Sequence, residues 1–174
     1  MTSLVWIVIL LALVALGIWL WLRSGVPHDD AERLRRIERY YRVCARLLPS
    51  IPEISAAELL ERRRESRLAI VDVRKPHEQA VSMIPGAISQ AEFEARKDEF
   101  RDAPVVAYCT LGFRSGKFVA QLRAEGFDAC NLRGAILAWT HARQPLVDAQ
   151  GETRRVHVYG RKWNLVASGY EGVW

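Results

Sequence analysis

The distribution of apolar and polar residues divides the chain into four parts. Residues 4–22 form an apolar run of nineteen residues without a charge. Residues 30–48 repeat apolar side chains at spacings of three and four, which predicts an amphipathic helix. Residues 50–150 alternate short apolar runs with helical patterns, and residues 151–174 are rich in aromatic side chains. We therefore predict a transmembrane anchor at 1–23, a linker and amphipathic juxtamembrane helix at 24–49, a folded domain at 50–150 and an aromatic C-terminal extension at 151–174.

The folded domain is predicted to alternate strands and helices. Three short runs of apolar and β-branched residues predict buried strands, at 68–73, 104–108 and 127–132. A capping-box pair, Ser55 with Glu58, marks the start of the first helix of the domain. Further helices are predicted at 76–81, 91–96, 115–125 and 135–142. Strands that alternate with helices predict an α/β domain with a central parallel sheet.

The apolar run at residues 4–22 predicts an uncleaved transmembrane helix that lies in the lipid bilayer. Nineteen residues at about 1.5 Å per residue nearly span a hydrocarbon core of about 30 Å. No Lys or Arg precedes the run and no small-residue cleavage pattern follows it, which counts against a signal peptide. Because arginines flank only its C-terminal side, beginning with Arg23, the positive-inside rule predicts a single-pass membrane protein whose C-terminal domain is cytoplasmic.

Composition and charge narrow the function. With 50% hydrophobic residues the chain is not intrinsically disordered, and three cysteines are too few for a disulfide-stapled scaffold. We interpret two of them, Cys44 and Cys130, as packing residues. The net charge of +5 lies outside residues 49–150, whose basic and acidic side chains balance, so no nucleic-acid partner is predicted. The four histidines show no metal-ligand spacing and no nucleotide-binding glycine motif occurs, so no metal or cofactor is predicted.

The segment 105–117 is the strongest candidate for a chemical site. Its buried strand leads to Cys109, a six-residue loop follows from Cys109 to Arg114, and a helix is predicted from Ser115. Ligands bind at the carboxyl ends of parallel strands, and a loop that enters a helix N-terminus points N–H groups at an anion. Such a loop favours the cysteine thiolate, and Arg114 adds a fixed positive charge. This pattern is typical of a nucleophilic cysteine that carries an anionic or persulfide adduct.

From about residue 54 to residue 148 the chain resembles the rhodanese-like domains. The resemblance rests on several motifs in order: residues 72–74, Glu78, residues 84–87, the loop at 109–115, residues 131–135, Trp139 and residues 144–146. It implies a three-layer α/β domain with a central parallel sheet. It also implies a sulfurtransferase in which Cys109 takes sulfane sulfur as a persulfide and passes it to a thiophilic acceptor.

The resemblance implies roles for individual residues. Cys109 would be the catalytic nucleophile. The substrate-binding residues would be those of the loop: Thr110, Leu111, Gly112, Phe113, Arg114 and Ser115. The structural or rim residues would be Asp72, Arg74 and Glu78. The implied partners are a small sulfur donor, thiosulfate or a persulfide, and a thiol acceptor. The second loop position is often basic in members that use thiosulfate, and here it is Thr110, which counts against thiosulfate as the preferred donor.

Two other functions remain as alternatives at this stage. The domain could be a non-catalytic rhodanese-like module that recruits a partner to the membrane, although the intact loop disfavours this. It could also be a phosphatase of the same fold. The related phosphatases have a loop one residue longer than the six residues found here, so this alternative is the weaker one. The aromatic extension is expected to fold back over the domain, with a contact to a membrane surface or a partner as the alternative.

Overall fold

The structure is a computed structural model that describes residues 6–7, 9–16, 27, 29–65 and 68–174. Residues 6–7 and 9–16 are helical. Within the described part of the chain, no helix combines the length and the apolar character that crossing a membrane requires. The remainder of the predicted anchor at 4–22 lies outside the described residues.

A central parallel sheet forms the middle of the domain, as the sequence predicts, and it has five strands where the sequence predicted three. The strands are β1 (Glu53–Ile54), β2 (Ala69–Asp72), β3 (Ile88–Ser89), β4 (Val105–Tyr108) and β5 (Ala129–Leu132), in the spatial order β1-β5-β4-β2-β3. Strand β4 lies in the middle, where it pairs with β2 on one side and β5 on the other. All four of its residues are buried, which fits a parallel strand covered on both faces. The carboxyl ends of β2 and β4 therefore lie side by side.

Helices cover both faces of the sheet. They are α1 (Asp30–Arg46), α2 (Ala56–Glu65), α3 (Pro76–Gln79), α4 (Gln90–Ala95), α5 (Phe113–Ala124) and α6 (Ala135–His141), with 3₁₀ turns at Lys97–Phe100 and Arg161–Trp163. The apolar core lies in two layers. Val106 and Tyr108 of β4 face one layer, and Val105 and Ala107 face the other, because successive side chains of a strand point to opposite faces.

The amphipathic helix α1 packs on the domain. Ile37 and Tyr41 are its buried residues. The Asp29 side chain caps its first turn by accepting a hydrogen bond from the backbone N–H of Ala31 at 2.9 Å. Leu34, which the apolar periodicity assigns to the same face, is exposed. The helix is thus part of the folded domain and not a free spacer.

The C-terminal extension folds over the same core layer as α1. Strand β6 (Leu146–Asp148) forms a hairpin with β7 (Gly151–Thr153), and β8 (Arg155–His157) pairs in parallel with β9 (Glu171–Val173). Val156, Val158 and Leu165 are fully buried in the core layer that also holds Ile37. The extension is therefore built into the domain, and its exposed aromatic side chains lie at the surface of this added layer.

Candidate active site

Cys109 lies directly after β4, at the carboxyl edge of the sheet. The loop that follows is shorter than the sequence predicts, because α5 begins at Phe113 and not at Ser115. Gly112 is the reason. Its φ of 121° is a backbone conformation that residues with a side chain rarely adopt. Its carbonyl oxygen accepts a hydrogen bond from the N–H of Gly116 at 3.0 Å, and this bond closes the first helical turn. Arg114 is thus a residue of the first turn of α5.

Two hydrogen-bond donors contact the Cys109 sulfur. The residue is 3% exposed. The backbone N–H of Gly112 donates to its Sγ at 3.1 Å, and the Ser115 hydroxyl donates at 3.5 Å. Donors directed at one sulfur atom stabilise negative charge on it, as a thiolate or a persulfide requires. Thr110 and Leu111, which complete the loop, are also buried, so a reacting molecule can reach Cys109 only at the small exposed part of its side chain, which we call the opening.

Arg114 is held by a buried carboxylate. Its Nη1 and Nη2 donate to the two oxygens of Glu78 at 2.7 and 2.8 Å, a bidentate pair. The Thr110 hydroxyl donates to the same carboxylate at 3.2 Å, and the N–H of Lys75 donates at 2.9 Å. Burial by itself raises the pKa of Glu78, but the hydrogen bonds from Arg114 and Lys75 outweigh it and lower the pKa to about 2. Glu78, which the sequence assigns only to the rim or to structure, lies against two of the predicted substrate-binding residues.

Asp72 and Arg74 form a fully buried ion pair at the end of β2. Their closest contact, between Arg74 Nη2 and Asp72 Oδ2, is 2.6 Å. Arg74 also donates to the carbonyl oxygen of Ser82. The N–H of Ile84 donates to the Tyr108 hydroxyl at 3.0 Å, which ties the turn at 84–87 to β4. These bonds hold the carboxyl ends of β2 and β4 together next to the cysteine loop.

Two buried residues outside the predicted site hold the loop from behind. The Asn131 Nδ2 donates to the Gly112 carbonyl oxygen at 2.9 Å and to the Tyr41 hydroxyl at 3.2 Å. A Cβ at Gly112 would lie 2.4 Å from the Tyr41 ring. Side chains from α1 and β5 therefore hold Gly112, whose N–H donates the hydrogen bond to the Cys109 sulfur. In the sequence, Asn131 is visible only as part of the motif at 131–135, and Tyr41 only as a position in the amphipathic pattern at 30–48.

The C-terminal extension contributes Tyr159 to the surroundings of the loop. Its ring centroid lies 5.4 Å from Arg114 Cζ, and its side chain interacts with Thr110. Burial raises the pKa of Tyr159. The aromatic spacing of the extension was visible in the sequence, but no local signal indicated that one ring would meet Arg114.

The remaining cysteines have different environments. Cys130 is buried on β5, and burial raises its pKa to about 11. Burial also raises the pKa of Cys44 on α1. Among the described residues, neither Cys44 nor Cys130 accepts a pair of hydrogen bonds like those from Gly112 and Ser115 to the Cys109 sulfur. Among the residues that the structure describes, no three His, Cys, Asp or Glu side chains are arranged to hold a metal ion.

The fold and the site together define a class of protein: an α/β domain whose central parallel strand places a cysteine in a tight loop, beneath an arginine held by a buried carboxylate. The family model of the rhodanese-like domain matches residues 55–142. The chain therefore belongs to the rhodanese-like domain family, and the resemblance read from its motifs is confirmed. Tyr41 and Tyr159 lie outside the matched residues.

Known proteins are similar to this chain over part of its length. A sulfurtransferase of Allochromatium vinosum is 35% identical over 106 residues, which cover 58% of this chain and 99% of that protein. The putative sulfurtransferase YtwF of Bacillus subtilis is 32% identical over 99 residues, 55% of this chain and 96% of that protein. The crystal structure of a thiosulfate sulfurtransferase from Pseudomonas aeruginosa matches with a TM-score of 0.53 at 25% identity, over 71% of this chain and 25% of that one.

Proposed function

We propose that the protein is a sulfurtransferase that carries sulfane sulfur as a persulfide on Cys109. The observation that supports this most directly is the pair of donors on the Cys109 sulfur, the Gly112 N–H and the Ser115 hydroxyl. The sulfurtransferase names of the Allochromatium and Bacillus relatives support the same activity.

The proposed reaction has two steps. In the first, the Cys109 thiolate attacks the outer sulfur of a donor, an S–S bond forms, and the donor's leaving group departs with the electron pair of the broken bond. Thiosulfate would leave as sulfite, and a persulfide as its thiolate. In the second step, an acceptor thiolate attacks the outer sulfur of the Cys109 persulfide, takes that sulfur and restores the Cys109 thiolate.

The residues around Cys109 have separate parts in these steps. The Gly112 N–H and the Ser115 hydroxyl stabilise negative charge on sulfur before and after each transfer. Arg114 is close enough for its charge to interact with the Cys109 thiolate, and Glu78 keeps the guanidinium in place. Because the cysteine is 3% exposed, the sulfur to be transferred must be at the tip of the donor.

The test uses the reduced full chain in a mild detergent. It is mixed with thiosulfate or with glutathione persulfide, and its intact mass and peptide map are recorded. We expect a gain of one sulfur atom on Cys109, which cyanide removes as thiocyanate. Cys44→Ser and Cys130→Ser are the matched controls and should keep the adduct, whereas Cys109→Ser should lose it. An adduct that persists in Cys109→Ser, or no adduct with either donor, would overturn the proposal and favour a non-catalytic binding module.

We also propose that residues 4–22 anchor the protein in a membrane, with the domain on the cytoplasmic side. The support is the run of nineteen uncharged residues and the exposure of large apolar side chains in its described part, such as Trp6, Leu10 and Leu13, which is unfavourable in water. The expected result is retention of the full chain in membranes after alkaline carbonate washing, and its release when residues 1–23 are deleted. Recovery of the full chain in the wash would contradict an anchor. Protease added outside spheroplasts tests the orientation: a cytoplasmic domain should be protected, and a cleaved domain would contradict this orientation.

A further inference from the structure

Three aromatic side chains form a connected surface beside the cysteine loop. We call Tyr40, Tyr159 and Trp163 the aromatic rim. The ring centroids of Tyr159 and Trp163 are 6.5 Å apart, and those of Trp163 and Tyr40 are 5.4 Å apart. Tyr159 is 53% exposed and Trp163 is 37% exposed. The rim therefore offers aromatic faces and edges to solvent while its rings hold one another in place.

The aromatic rim adjoins the opening to Cys109. The Tyr159 side chain interacts with Thr110, the residue that follows the nucleophile, and its ring centroid lies 5.4 Å from Arg114 Cζ. Arg114 and Tyr159 both interact electrostatically with Cys109, so a donor bound at the Cys109 sulfur beside Arg114 lies within reach of Tyr159. All three rim residues lie outside the matched residues 55–142. The rim belongs to the segments that this chain adds before and after its family domain.

The Arg114 charge beside the cysteine loop is neutralised by a carboxylate. Arg114 is paired with Glu78 through two hydrogen bonds. The second loop position is the neutral Thr110, whose hydroxyl is also used on Glu78. The Arg114 charge is thus already used by Glu78 and is less available to a small dianion such as thiosulfate, while Tyr159 places exposed aromatic surface beside it. Aromatic side chains gain most from a partner that is apolar and planar, through stacked or edge-to-face contacts.

We infer that the aromatic rim selects an organic sulfane-sulfur donor whose leaving group carries a flat apolar substituent, in preference to thiosulfate. This inference rests on the proposed persulfide chemistry of Cys109. The substituent R of a donor R–SO₂–S⁻ or R–S–S⁻ lies against Tyr159 and Trp163, and the terminal sulfur points to Cys109. The rim acts on the choice of donor, while the transfer itself remains with the loop.

The transfer from such a donor is balanced without any further reactant. The Cys109 thiolate attacks the outer sulfur of R–SO₂–S⁻ and forms the S–S bond of the persulfide. The bond between that outer sulfur and the sulfonyl sulfur breaks, and its electron pair leaves with the sulfinate R–SO₂⁻. The two reactants, the thiolate and the thiosulfonate, carry one negative charge each, and so do the two products, the persulfide and the sulfinate. No proton is transferred, and no external oxidant or reductant is needed.

Two thiosulfonates test the inference because they share the reacting atoms and the charge and differ only in R. The probes are benzenethiosulfonate and methanethiosulfonate, with cyanide as the common acceptor. The kcat/KM ratio of the two donors is measured for the full chain and divided by the ratio of their rates with free N-acetylcysteine, which removes the difference in intrinsic reactivity. We expect a corrected ratio of about 10 in favour of the phenyl donor, the size of one good aromatic contact.

Variants of the rim identify the side chains responsible. Tyr159→Ala and Trp163→Ala should each bring the corrected ratio towards 1, and Tyr159→Phe, which keeps the ring, should preserve it. Trp174→Ala is the matched control, because Trp174 belongs to the same extension, is 68% exposed and lies outside the rim. Thermal unfolding of each variant verifies that the domain remains folded.

The outcomes separate this inference from the proposed function. A corrected ratio near 1 in the wild type, or a high ratio that survives in both alanine variants, would overturn selection by the rim while Cys109 persulfide formation stands. An equal loss of activity with both donors in Tyr159→Ala would also overturn it, because Tyr159 would then only support Thr110. If neither donor nor thiosulfate places a sulfur on Cys109, the proposed function fails and the inference fails with it.

Discussion

The backbone N–H of Gly112 donates a hydrogen bond to the sulfur of Cys109 across 3.1 Å. The carbonyl oxygen of the same glycine accepts a hydrogen bond from Asn131 at 2.9 Å, and the Tyr41 ring packs where a side chain at this position would lie. The donor on the nucleophile is therefore held by one residue from β5 and one from the helix that precedes the family domain. The loop geometry depends on segments far from it in the chain.

Replacement of Gly112 by alanine tests this arrangement. The new Cβ would lie 2.4 Å from the Tyr41 ring, and the backbone φ of 121° is one that alanine rarely adopts. We expect Gly112→Ala to lower the free energy of unfolding by about 2–4 kcal/mol, from strain plus overpacking, and to lower persulfide formation at least about tenfold through loss of the aligned donor. Urea unfolding and the intact-mass assay measure the two effects.

Gly126→Ala is the matched control for that variant. Gly126 also has a positive φ, 88°, but a Cβ there meets nothing within 4 Å. We expect it to cost only about 1 kcal/mol of backbone strain and to leave sulfur transfer intact. Equal effects of the two variants on sulfur transfer would show that the packing of Tyr41 on Gly112 is unimportant to the site.

Glu78→Gln tests the role of the buried carboxylate. The variant removes the charge opposite Arg114 and replaces one acceptor oxygen by a donor. Breaking a buried pair costs about 3–5 kcal/mol, and because Arg114 is partly exposed we expect about 2 kcal/mol here. Without the Glu78 charge, the Arg114 guanidinium no longer holds its position beside Cys109. We therefore expect the variant to show a larger increase in KM than decrease in kcat.

Glu92→Gln provides a surface comparison for the same change. Glu92 pairs with Arg96 on an exposed part of α4, where ion pairs contribute little. The Glu92→Gln variant should have the same unfolding midpoint and the same sulfur-transfer kinetics as the wild type. A Glu78→Gln variant as stable and as active as Glu92→Gln would contradict the positioning role given to Glu78.

The lowered pKa of Glu78 predicts a loss of stability in acid. The carboxyl has a pKa of about 2 in the folded protein, below its ordinary value of 4.5, so the unfolded chain binds its proton first as the pH falls. The contribution of this group is therefore complete above about pH 4.5 and declines as the pH falls towards 2. Urea midpoints between pH 6 and pH 3 should decrease, and the decrease should be smaller in Glu78→Gln. An identical slope in the variant would rule out this carboxyl as the source.

Leu165→Ala tests whether the extension is part of the core. Leu165 is fully buried in the layer that holds Ile37 of α1. We expect a loss of about 2–4 kcal/mol in the free energy of unfolding, as for other buried leucines, in a single cooperative transition. Leu47→Ala, at an exposed leucine, should have little effect. Unfolding of the extension in a separate, earlier transition would show that it is only attached to the domain.

The sequence predicted the elements of the domain well, because their signals are local. The runs at 68–73, 104–108 and 127–132 correspond to β2, β4 and β5. The capping box at Ser55 is present, with the Glu58 N–H donating to the Ser55 hydroxyl oxygen at 3.2 Å. The start of α5 was misplaced by two residues, because the backbone angle of Gly112 depends on how Tyr41 and Asn131 pack around it.

By itself, the sequence determined three of the five strands of the central sheet, most helices, the family and the position of Cys109 at a strand end, since periodicity, capping and motif order are properties of neighbouring residues. Tertiary structure alone decided which side chains meet at the site. Glu78 and Arg114 are 36 residues apart, and Tyr41 and Asn131 are 90 apart. An amphipathic pattern states which face of an element is apolar, but the partner on that face depends on how the whole chain packs. For the same reason, only the folded chain shows that Tyr159 of the extension lies beside Arg114 at the opening to Cys109.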